Sequence, residues 1–376
     1  MSNGDISFST EHLDTNQRIE AFKGYVLANY PSATPIDFST VATAVSPFIL
    51  NLPKSIFFTA EQAISELYLR SRDKVAELGQ WNVNPDQGAL LMGYDFHLQI
   101  INGTAKLKLI EINTNASGFV IGNALSEHRN VNSLNSIEKL KQSFMTELSF
   151  AKKPSKVPNV AIVDVNPKEQ KLFLEFLMYQ DLFKRWGWNS EIVDLVELDI
   201  NKKPFDLIYN RHTDFYLKSP ESNKLLEAYL NRSTVLSPNP KEYFLLADKS
   251  RLLEIIKPED SFALETLIVN KDSDLSYIEA NKKRLIFKPT NSFGGKSVYR
   301  GDRITRKVLD RMIESGCMAQ EYFPPGIIIQ DGVEWKFDLR FYAYKNQLQF
   351  CLARMFTGQI MNFQNLGSGF APINWI

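Results

Sequence analysis

Glu111 and Asn113 place a carboxylate and an amide oxygen side by side at the end of a predicted strand, LKLIEIN. The period of two in a strand puts both side chains on one face before the chain enters a loop. The preceding segment, GYDFHLQI, is another predicted strand that carries Asp95, and the intervening Asn102-Gly103 is a strong hairpin signal. The alternative interpretation is a solvated glutamate followed by an asparagine that opens a turn.

A second stretch, RLIFKPTNSFGGKSVYR, has features of a phosphate-binding loop. A predicted strand delivers Lys288, and the following loop contains Gly294, Gly295, Lys296 and Ser297. Adjacent glycines allow backbone N–H groups to approach a phosphate, and a lysine on a strand supplies a fixed positive charge. The loop joins two strands, so it is not a Walker A loop and could fold over its ligand. Taken alone, Gly-Gly-Lys is also typical of a simple tight turn.

Two further stretches are compatible with nucleotide binding. In CMAQEYFPPG, a strand ends in Gln320, Glu321, Tyr322 and Phe323. Such a strand is able to offer edge N–H and C=O groups to adenine, with the aromatic side chains as a wall. An edge strand stopped by two prolines is the alternative. Lys249 in ADKSRLL begins a predicted helix, where a lysine opposes the helix dipole unless an anion is also present.

The elements that must position these side chains fall into four predicted regions. Residues 1–85 are interpreted as a mainly helical segment, and 86–150 as the hairpin followed by a helix. In 151–240, strands alternate with a helix and short loops, which predicts a parallel sheet with right-handed crossovers. In 241–376, the strand patterns predict an antiparallel-rich region. The expected fold class therefore combines α/β and α+β units.

The composition excludes several classes of protein. The chain has 376 residues, 44% hydrophobic and 23% charged, which is typical of a globular protein with two or three domains. Basic and acidic residues number 43 each, so no net charge recruits nucleic acid or an anionic membrane. Cys317 and Cys351 lack metal-ligand spacing, and we expect reduced, buried thiols. With neither a secretory signal nor an apolar run of about 18 residues, a cytoplasmic protein is expected.

Together, the motifs resemble those of the ATP-grasp ligases. Lys249, Lys288 with its glycine loop, and AQEYF are similar, in the same order, to that family's two phosphate-binding lysines, mobile loop and adenine-contacting segment. In that family a hairpin with Asp on its first strand and Glu-x-Asn on its second usually follows these motifs, near the C-terminus. In this sequence the similar hairpin, with Asp95, Glu111 and Asn113, precedes them. The resemblance spans roughly 90–125 and 158–376, in the order of the circularly permuted ATP-grasp group that includes glutathionylspermidine synthetase. One departure is Gly93, where that group carries an arginine.

The resemblance implies roles for individual residues. Asp95, Glu111 and Asn113 are hard oxygen ligands and would hold magnesium. Arg340 and Arg354, on adjacent strands, would contact the γ-phosphate or an acyl-phosphate, with Asp338 orienting Arg340. A further substrate contact is expected from Arg211, at the end of a parallel strand, with a surface salt bridge as the alternative. Asn365 is expected to contact substrate or metal. His97 is expected to be a packed strand histidine, with a place in the lining of the same site as the alternative. The residues expected to bind ATP are Lys249, Lys288, Phe293, Gly294, Gly295, Lys296, Ser297, Gln320, Glu321, Tyr322 and Phe323.

The implied activity is an ATP- and magnesium-dependent ligase that joins a carboxylate to an amine, or to a thiol, through an acyl-phosphate. The partners would be a small-molecule or peptide carboxylate and an amine, with no nucleic acid and no membrane, and a homodimer is left open. Two alternatives remain, an ATP-binding regulatory or degenerate protein without ligase activity and a small-molecule kinase. The ligase interpretation requires the 90–115 hairpin to pair with the strands around Arg340 and Arg354, with 158–240 as a separate α/β domain.

Overall fold

The β-strands pair segments that are distant in the sequence. The computed structural model describes residues 6–376 apart from 12, 172, 274, 291–297, 359, 360, 362 and 364, and apart from the side chains at 40, 42 and 43. In chain order the strands are β1 Ser7–Thr10, β2 Phe48–Leu52, β3 Met92–Ile101, β4 Thr104–Asn113, β5 Asn159–Asp164, β6 Asn189–Asp194, β7 Leu207–Asn210, β8 Val235–Ser237, β9 Thr266–Val269, β10 Leu285–Pro289, β11 Tyr299–Arg300, β12 Cys317–Glu321, β13 Gly326–Gln330, β14 Val333–Tyr344, β15 Gln347–Phe356, β16 Gly369–Ala371 and β17 Ile373–Trp375.

The α-helices pack against these strands and cover the sheets. They are α1 Thr15–Asn29, α2 Lys54–Arg72, α3 Phe119–His128, α4 Ser136–Leu148, α5 Phe173–Arg185, α6 Asn223–Asn231, α7 Pro240–Glu242, α8 Ser276–Asn281 and α9 Arg306–Ser315. Within the described residues, no helix combines the length and apolar character needed to cross a bilayer.

A parallel four-stranded sheet forms in the order β6-β5-β7-β8. Its central strand β5 is buried from Val160 to Asp164, as expected for a parallel strand covered on both faces. The α5 helix connects β5 to β6 in the predicted β-α-β order. This confirms the parallel sheet predicted within 151–240.

The predicted hairpin belongs to a six-stranded sheet with the path β16-β15-β14-β3-β4 and with β13 paired to β14. Asn102 and Gly103 have φ values of 52° and 72°, the two positive values that a tight type I′ connection requires. Strand β3 pairs antiparallel with β14, and this register sets Asp95 opposite Arg340. The long-range pairing of the hairpin with the strands that carry Arg340 and Arg354 is therefore confirmed.

A third, antiparallel sheet has the order β11-β10-β12-β9. Strand β10 delivers Lys288, and β12 carries Gln320 and Glu321 beside it. Cys317 and Cys351 are buried and free, in agreement with the expectation for both thiols. The antiparallel-rich character predicted for 241–376 is confirmed by this sheet and by the β14/β15 pair.

The segment predicted as helical at the N-terminus also contains strands. Strand β2 pairs antiparallel with β1 and parallel with β17, so residues 48–52 join a sheet with 373–375. Short alternating runs such as FILNL, with burial on every second residue, produce this edge sheet. The helical interpretation of 1–85 is correct for α1 and α2 but missed β1 and β2, because their sheet depends on a strand from the other end of the chain.

Candidate functional site

A cavity of about 150 Å³ lies between the six-stranded sheet and the sheet that contains β10 and β12. Its polar lining comes from β3, β4, β14 and β15 on one side and from β10, β12 and Lys249 on the other. Apolar side chains, including Ile110, Ile286 and Phe356, complete the wall. The predicted site residues that line this cavity are Asp95, Glu111, Asn113, Lys249, Lys288, Gln320, Glu321, Tyr322, Phe323, Arg340 and Arg354.

Asp95 is the centre of an arginine cluster. Its side chain accepts from Arg340 Nε and Nη2, both at 2.7 Å, and Arg354 Nη2 lies 2.9 Å from its Oδ2. Asn113 Nδ2 donates to the same Oδ2 at 3.1 Å. Burial on its own would raise the pKa of the Asp95 carboxyl, but the charges of Arg340 and Arg354 outweigh burial and hold that pKa well below its usual range. Asp95 is therefore ionised at neutral pH.

The second carboxylate of the cluster, Asp338, has a different partner from the predicted one. Its oxygens accept from Arg354 Nε at 2.8 Å and Arg354 Nη2 at 2.6 Å. Asp338 thus orients Arg354, whereas Asp95 orients Arg340. The expectation that Asp338 orients Arg340 was wrong because the β14/β15 register sets Asp338 directly opposite Arg354.

The two lysines approach the cavity from separate elements. Lys288 is 6% exposed, and its Nζ donates to Ile110 O at 2.9 Å and to Gln320 Oε1 at 2.8 Å. Burial lowers the pKa of Lys288 to about 8, although the Glu111 carboxylate acts in the opposite direction. Lys249 Nζ forms an ion pair with Glu111 Oε1 at 2.9 Å. Both ammonium groups therefore lie beside the hairpin that carries the candidate metal ligands.

Lys249 begins a helix, as predicted, and that helix is of the 3-10 type. A short α7 is followed by a π-turn, Tyr243–Ala247, and then by a 3-10 helix, Lys249–Glu254. The Asp248 side chain accepts from Ser250 N and caps this 3-10 helix. The Asp248 carboxylate therefore offsets the positive charge of Lys249 at the start of this helix. The unfavourable position of a lysine at a helix start does not require an external anion.

The segment after β12 forms one end of the cavity. Glu321 N donates to Glu265 O at 2.7 Å, and Tyr322 N donates to Arg284 O at 2.8 Å. These two amides are used within the chain, and the expected adenine contact of this segment stays a prediction. The Arg300 guanidinium lies 4.4 Å from the Tyr322 ring centroid and supports this wall from outside.

His97 has a larger part in the site than the sequence suggested. It lines the cavity, and its Nδ1 lies 2.6 Å from Phe323 O. Because a carbonyl only accepts, Nδ1 carries the proton and donates. Burial lowers the pKa of His97, which keeps the ring neutral. His97 therefore fixes the segment after β12. The signal in the sequence was its spacing of two from Asp95, which places both on one strand face.

Gly93 lies in a space that leaves little room for a side chain. A Cβ built on Gly93 would lie 2.6 Å from Ala116 Cβ and 3.7 Å from Arg340 Nε. No larger side chain fits there without displacing Ala116. The Arg340 guanidinium, which reaches the Asp95 carboxylate from β14, lies beside this glycine.

Some predicted residues lie elsewhere. Arg211 is buried, but its guanidinium donates to Ala116 O, Ser117 Oγ and Tyr209 OH and is not among the described residues that line the cavity. Asn365 is exposed and donates to Thr357 Oγ1 at 2.7 Å, also outside the described lining. The predicted glycine loop after Lys288 lies outside the described residues, which leaves out Phe293, Gly294, Gly295, Lys296 and Ser297.

The oxygen donors of the cavity suit magnesium in part. Glu111 and Asn113 are half-buried, face the cavity and offer oxygen, which magnesium prefers. Asp95 also lines the cavity, but both of its oxygens accept from guanidinium groups. Among the described residues, no three His, Cys, Asp or Glu side chains are grouped to hold a metal ion. The set fits an ion held by one or two carboxylates together with substrate phosphates, and not a closed protein site.

The fold is similar to that of a solved glutathione synthetase-like effector, GSS30, from Globodera pallida in its apo form. The TM-score is 0.57 at 11% sequence identity, and the match covers 97% of this chain and 98% of that chain. A putative gamma-glutamylcysteine synthetase from Methylobacillus flagellatus KT matches with a TM-score of 0.47 at 13% identity, over 81% of this chain and 86% of that chain. No family model and no curated protein matches the sequence. The chain is therefore similar in its mixed α/β fold to this glutathione synthetase-like effector.

Proposed function

We propose that the protein is an ATP- and magnesium-dependent ligase that joins a carboxylate to an amine, or to a thiol, through an acyl-phosphate. The observation that carries the proposal is the convergence of Lys249, Lys288, Arg340 and Arg354 on one cavity with Glu111 and Asn113. These residues come from three regions of the sequence. Their meeting at one place is what a triphosphate and a reacting carboxylate require, because both substrates are anionic.

The charges of the site support a role for magnesium. The described residues that line the cavity include four cations, Lys249, Lys288, Arg340 and Arg354, and four carboxylates, Asp95, Glu111, Glu321 and Asp338. These formal charges cancel, so the lining by itself does not compensate a triphosphate. A divalent ion held by Glu111 and Asn113, with Asp95 as a further candidate, would supply the missing positive charge and polarise the phosphate oxygens.

The side chains of the site fit the proposed reaction. A carboxylate is a poor electrophile, so its oxygen attacks the γ-phosphorus of ATP, the bond to the β-phosphate oxygen breaks, and ADP leaves. Lys288 and Lys249 would hold the phosphates during this transfer. An amine then attacks the acyl carbon, and phosphate departs with the C–O electron pair. Arg340 and Arg354, fixed by their own carboxylates, would stabilise the developing oxyanion without needing to reorganise.

Circular permutation and the division into domains are part of the proposal. The hairpin β3/β4 precedes Lys249 and Lys288 in the chain but pairs with β14, which follows them. We propose a helical segment at 1–85, a permuted hairpin unit at 86–150, a parallel-sheet domain at 151–240 and a nucleotide-binding domain at 241–376. Arg211, Asn365 and the 293–297 loop remain candidate substrate or nucleotide contacts within that scheme.

The test is ADP release from ATP and magnesium, measured with a panel of carboxylic acids, alone and with an amine. Hydroxylamine serves as a general trap, since it converts an acyl-phosphate to a hydroxamate. A ligase is expected to release ADP when an acid and an amine are both present and to form hydroxamate with hydroxylamine. ADP release without hydroxamate, with a phosphorylated acceptor as product, would identify a kinase instead.

An ATP-binding protein without ligase activity is the second candidate, and one observation favours it. Glu111 is paired with Lys249 and Asp95 with two arginines, so the acidic groups of the site are neutralised by the chain itself. In such a protein, magnesium would add little to nucleotide affinity. ATP binding measured by calorimetry with magnesium and with EDTA separates the two candidates, because the ligase proposal requires much tighter binding with magnesium.

A further inference from the structure

Residues 211–219, which we call the β7 loop, follow β7 at the carboxyl edge of the parallel sheet. Hydrogen bonds brace this loop at both ends. Arg211 N donates to Val163 O at 2.8 Å, which ties the start of the loop to β5. Near the other end, the Asp214 carboxylate accepts from Ser219 N at 2.7 Å. The conformation of the loop is therefore set by bonds to the parallel sheet and within the loop itself.

The first residue of the β7 loop holds the chain just after the candidate metal ligand Asn113. Arg211 Nη1 donates to Ala116 O at 3.4 Å, and Nη2 donates to Ser117 Oγ. In return, Arg211 O accepts from Asn115 Nδ2 at 2.6 Å. Arg211 is 5% exposed, and its guanidinium presents five donors in a rigid fork that is able to fix several acceptors at once. Three consecutive residues after β4 are therefore tied to one arginine.

Two later residues of the β7 loop hold the chain just before Lys249. Tyr216 OH donates to Asp248 Oδ2, and the Asp248 side chain caps the 3-10 helix that Lys249 begins. The Tyr216 ring also packs edge to face against Tyr243, with ring centroids 4.9 Å apart. Phe215 is stacked on the ring of Tyr243 at a centroid distance of 4.6 Å. The segment that leads to Lys249 is thus contacted by two adjacent side chains of one loop.

Both of the segments that the β7 loop holds lead to residues of the candidate site. Glu111 and Asn113 line its cavity just ahead of the tied segment after β4. Lys249 also lines the cavity, and its Nζ forms the ion pair with Glu111 Oε1 at 2.9 Å. Arg211 and Tyr216 are not among the described residues that line the cavity. Groups that support a metal or ligand site from outside commonly change its affinity about 10- to 100-fold when they are lost.

We propose that Arg211 and Tyr216 are positioning residues that set the distance between the candidate metal ligands and Lys249. The inference rests on the proposed function. Arg211 holds the exit of the β3/β4 hairpin, so that Glu111 and Asn113 keep the orientation that a magnesium ion on the triphosphate requires. Tyr216 holds the start of the helix that Lys249 begins, so that the ammonium group stays directed at the phosphates. The parallel sheet then contributes to ATP binding through residues that do not touch the nucleotide.

The experiment measures ATP affinity by calorimetry, in EDTA and over a series of magnesium concentrations, for two mild variants. Ser117→Ala removes one acceptor of the Arg211 guanidinium. It should raise the magnesium concentration for half-maximal tightening of ATP binding about tenfold and leave the affinity in EDTA unchanged. Tyr216→Phe removes the hydroxyl that bonds to Asp248. It should weaken ATP binding about three- to tenfold even in EDTA, because Lys249 contacts the phosphates with or without the metal.

Tyr25→Phe is the matched control for the tyrosine variant. The Tyr25 hydroxyl also donates to a carboxylate, that of Glu127, at 2.8 Å, but this bond joins α1 to α3. The control should bind ATP like the wild type, with and without magnesium. Melting temperatures are measured for every variant. A change in the magnesium requirement in one variant, and a loss of affinity in EDTA in the other, is a pattern that general destabilisation of the fold does not produce.

Other results would overturn the inference. A wild-type titration for either variant overturns the role of the loop residue that the variant probes, and equal losses in both variants under all conditions indicate a general effect on the fold and overturn both roles. Hydroxamate formation with hydroxylamine is measured in parallel. Variants that bind ATP like a wild type that forms hydroxamate overturn the positioning role alone. The expected pattern in a protein that forms no hydroxamate supports the positioning role and overturns the ligase.

Discussion

Two buried carboxylates, Asp95 in the large cavity and Glu147 on α4, differ in ionisation although both are almost inaccessible to solvent. Asp95 bonds to two arginines, and its pKa is well below the usual range. Glu147 accepts from Gly88 N at 2.8 Å and from Tyr344 OH at 2.7 Å, both uncharged donors, and burial raises its pKa to about 7. Burial acts in the same direction at both sites, so the charge of the partners decides the outcome.

The difference indicates what each region contributes. Around Asp95, charges are retained in the interior and compensate one another, which suits the binding of an anionic substrate proposed above. Around Glu147, a carboxyl group joins α4, the loop at Gly88 and the end of β14 with neutral hydrogen bonds. That junction needs no charge. The four predictions below test this contrast, from the largest expected effect to the smallest.

Replacing Asp95 with Asn should produce the largest loss of stability. The change leaves Arg340 without its carboxylate and removes one of two from Arg354, and breaking a buried ion pair typically costs about 3 to 5 kcal/mol. Urea denaturation measures the free energy of unfolding, with Asp272→Asn, at an exposed position, as the control. A loss below about 1 kcal/mol would mean that the arginines are not held by this carboxylate.

Glu147→Gln should remove a pH dependence of stability. The folded-state pKa of about 7 lies above the ordinary value of 4.5, so between these values the folded protein binds more protons and stability falls as pH rises. The full effect for one group is on the order of 3 kcal/mol. Melting temperatures at pH 5 and pH 7.5 should differ less in Glu147→Gln than in wild type. Equal pH dependence in the two proteins would show that Glu147 is ionised when folded.

Lys288→Met should weaken ATP binding without unfolding the protein. Methionine keeps most of the side-chain stem but removes the ammonium group, and a hydrogen bond to a charged group is worth about 1.5 to 3 kcal/mol, or roughly 10- to 100-fold in affinity. Lys249→Met should act in the same direction, less strongly because that lysine is more exposed. Calorimetric ATP titrations measure both, and unchanged affinity in both variants would refute the proposed nucleotide site.

His97→Phe should have the smallest effect of the four. The variant leaves Phe323 O without its buried donor but keeps an aromatic ring of similar size, so we expect ATP affinity to fall about three- to tenfold. Circular dichroism establishes whether the fold is intact, and the same ATP titration gives the affinity. Wild-type affinity in a folded His97→Phe protein would mean that the position of the segment after β12 does not depend on this histidine.

The sequence by itself determined the local elements and much of the candidate site. Asn102-Gly103 specified the hairpin because its tight turn needs two residues that tolerate positive φ. Alternation along β4 placed Glu111 and Asn113 on one face, and apolar runs identified the parallel sheet. The position of the hairpin beside β14 was also predicted correctly, but through the resemblance to ATP-grasp ligases and the need for metal ligands and lysines to meet.

Only the tertiary structure decided the partners of each charge. Asp338 pairs with Arg354 because the β14/β15 register sets them opposite each other, and strand register depends on sheet neighbours that local pattern does not encode. The Arg211 guanidinium donates to backbone and hydroxyl oxygens, which local pattern does not identify either. Strand β2 pairs with β17, which lies more than 300 residues later in the chain. Sequence fixes which groups are present, but their pairing depends on distances that exist only after the chain has folded.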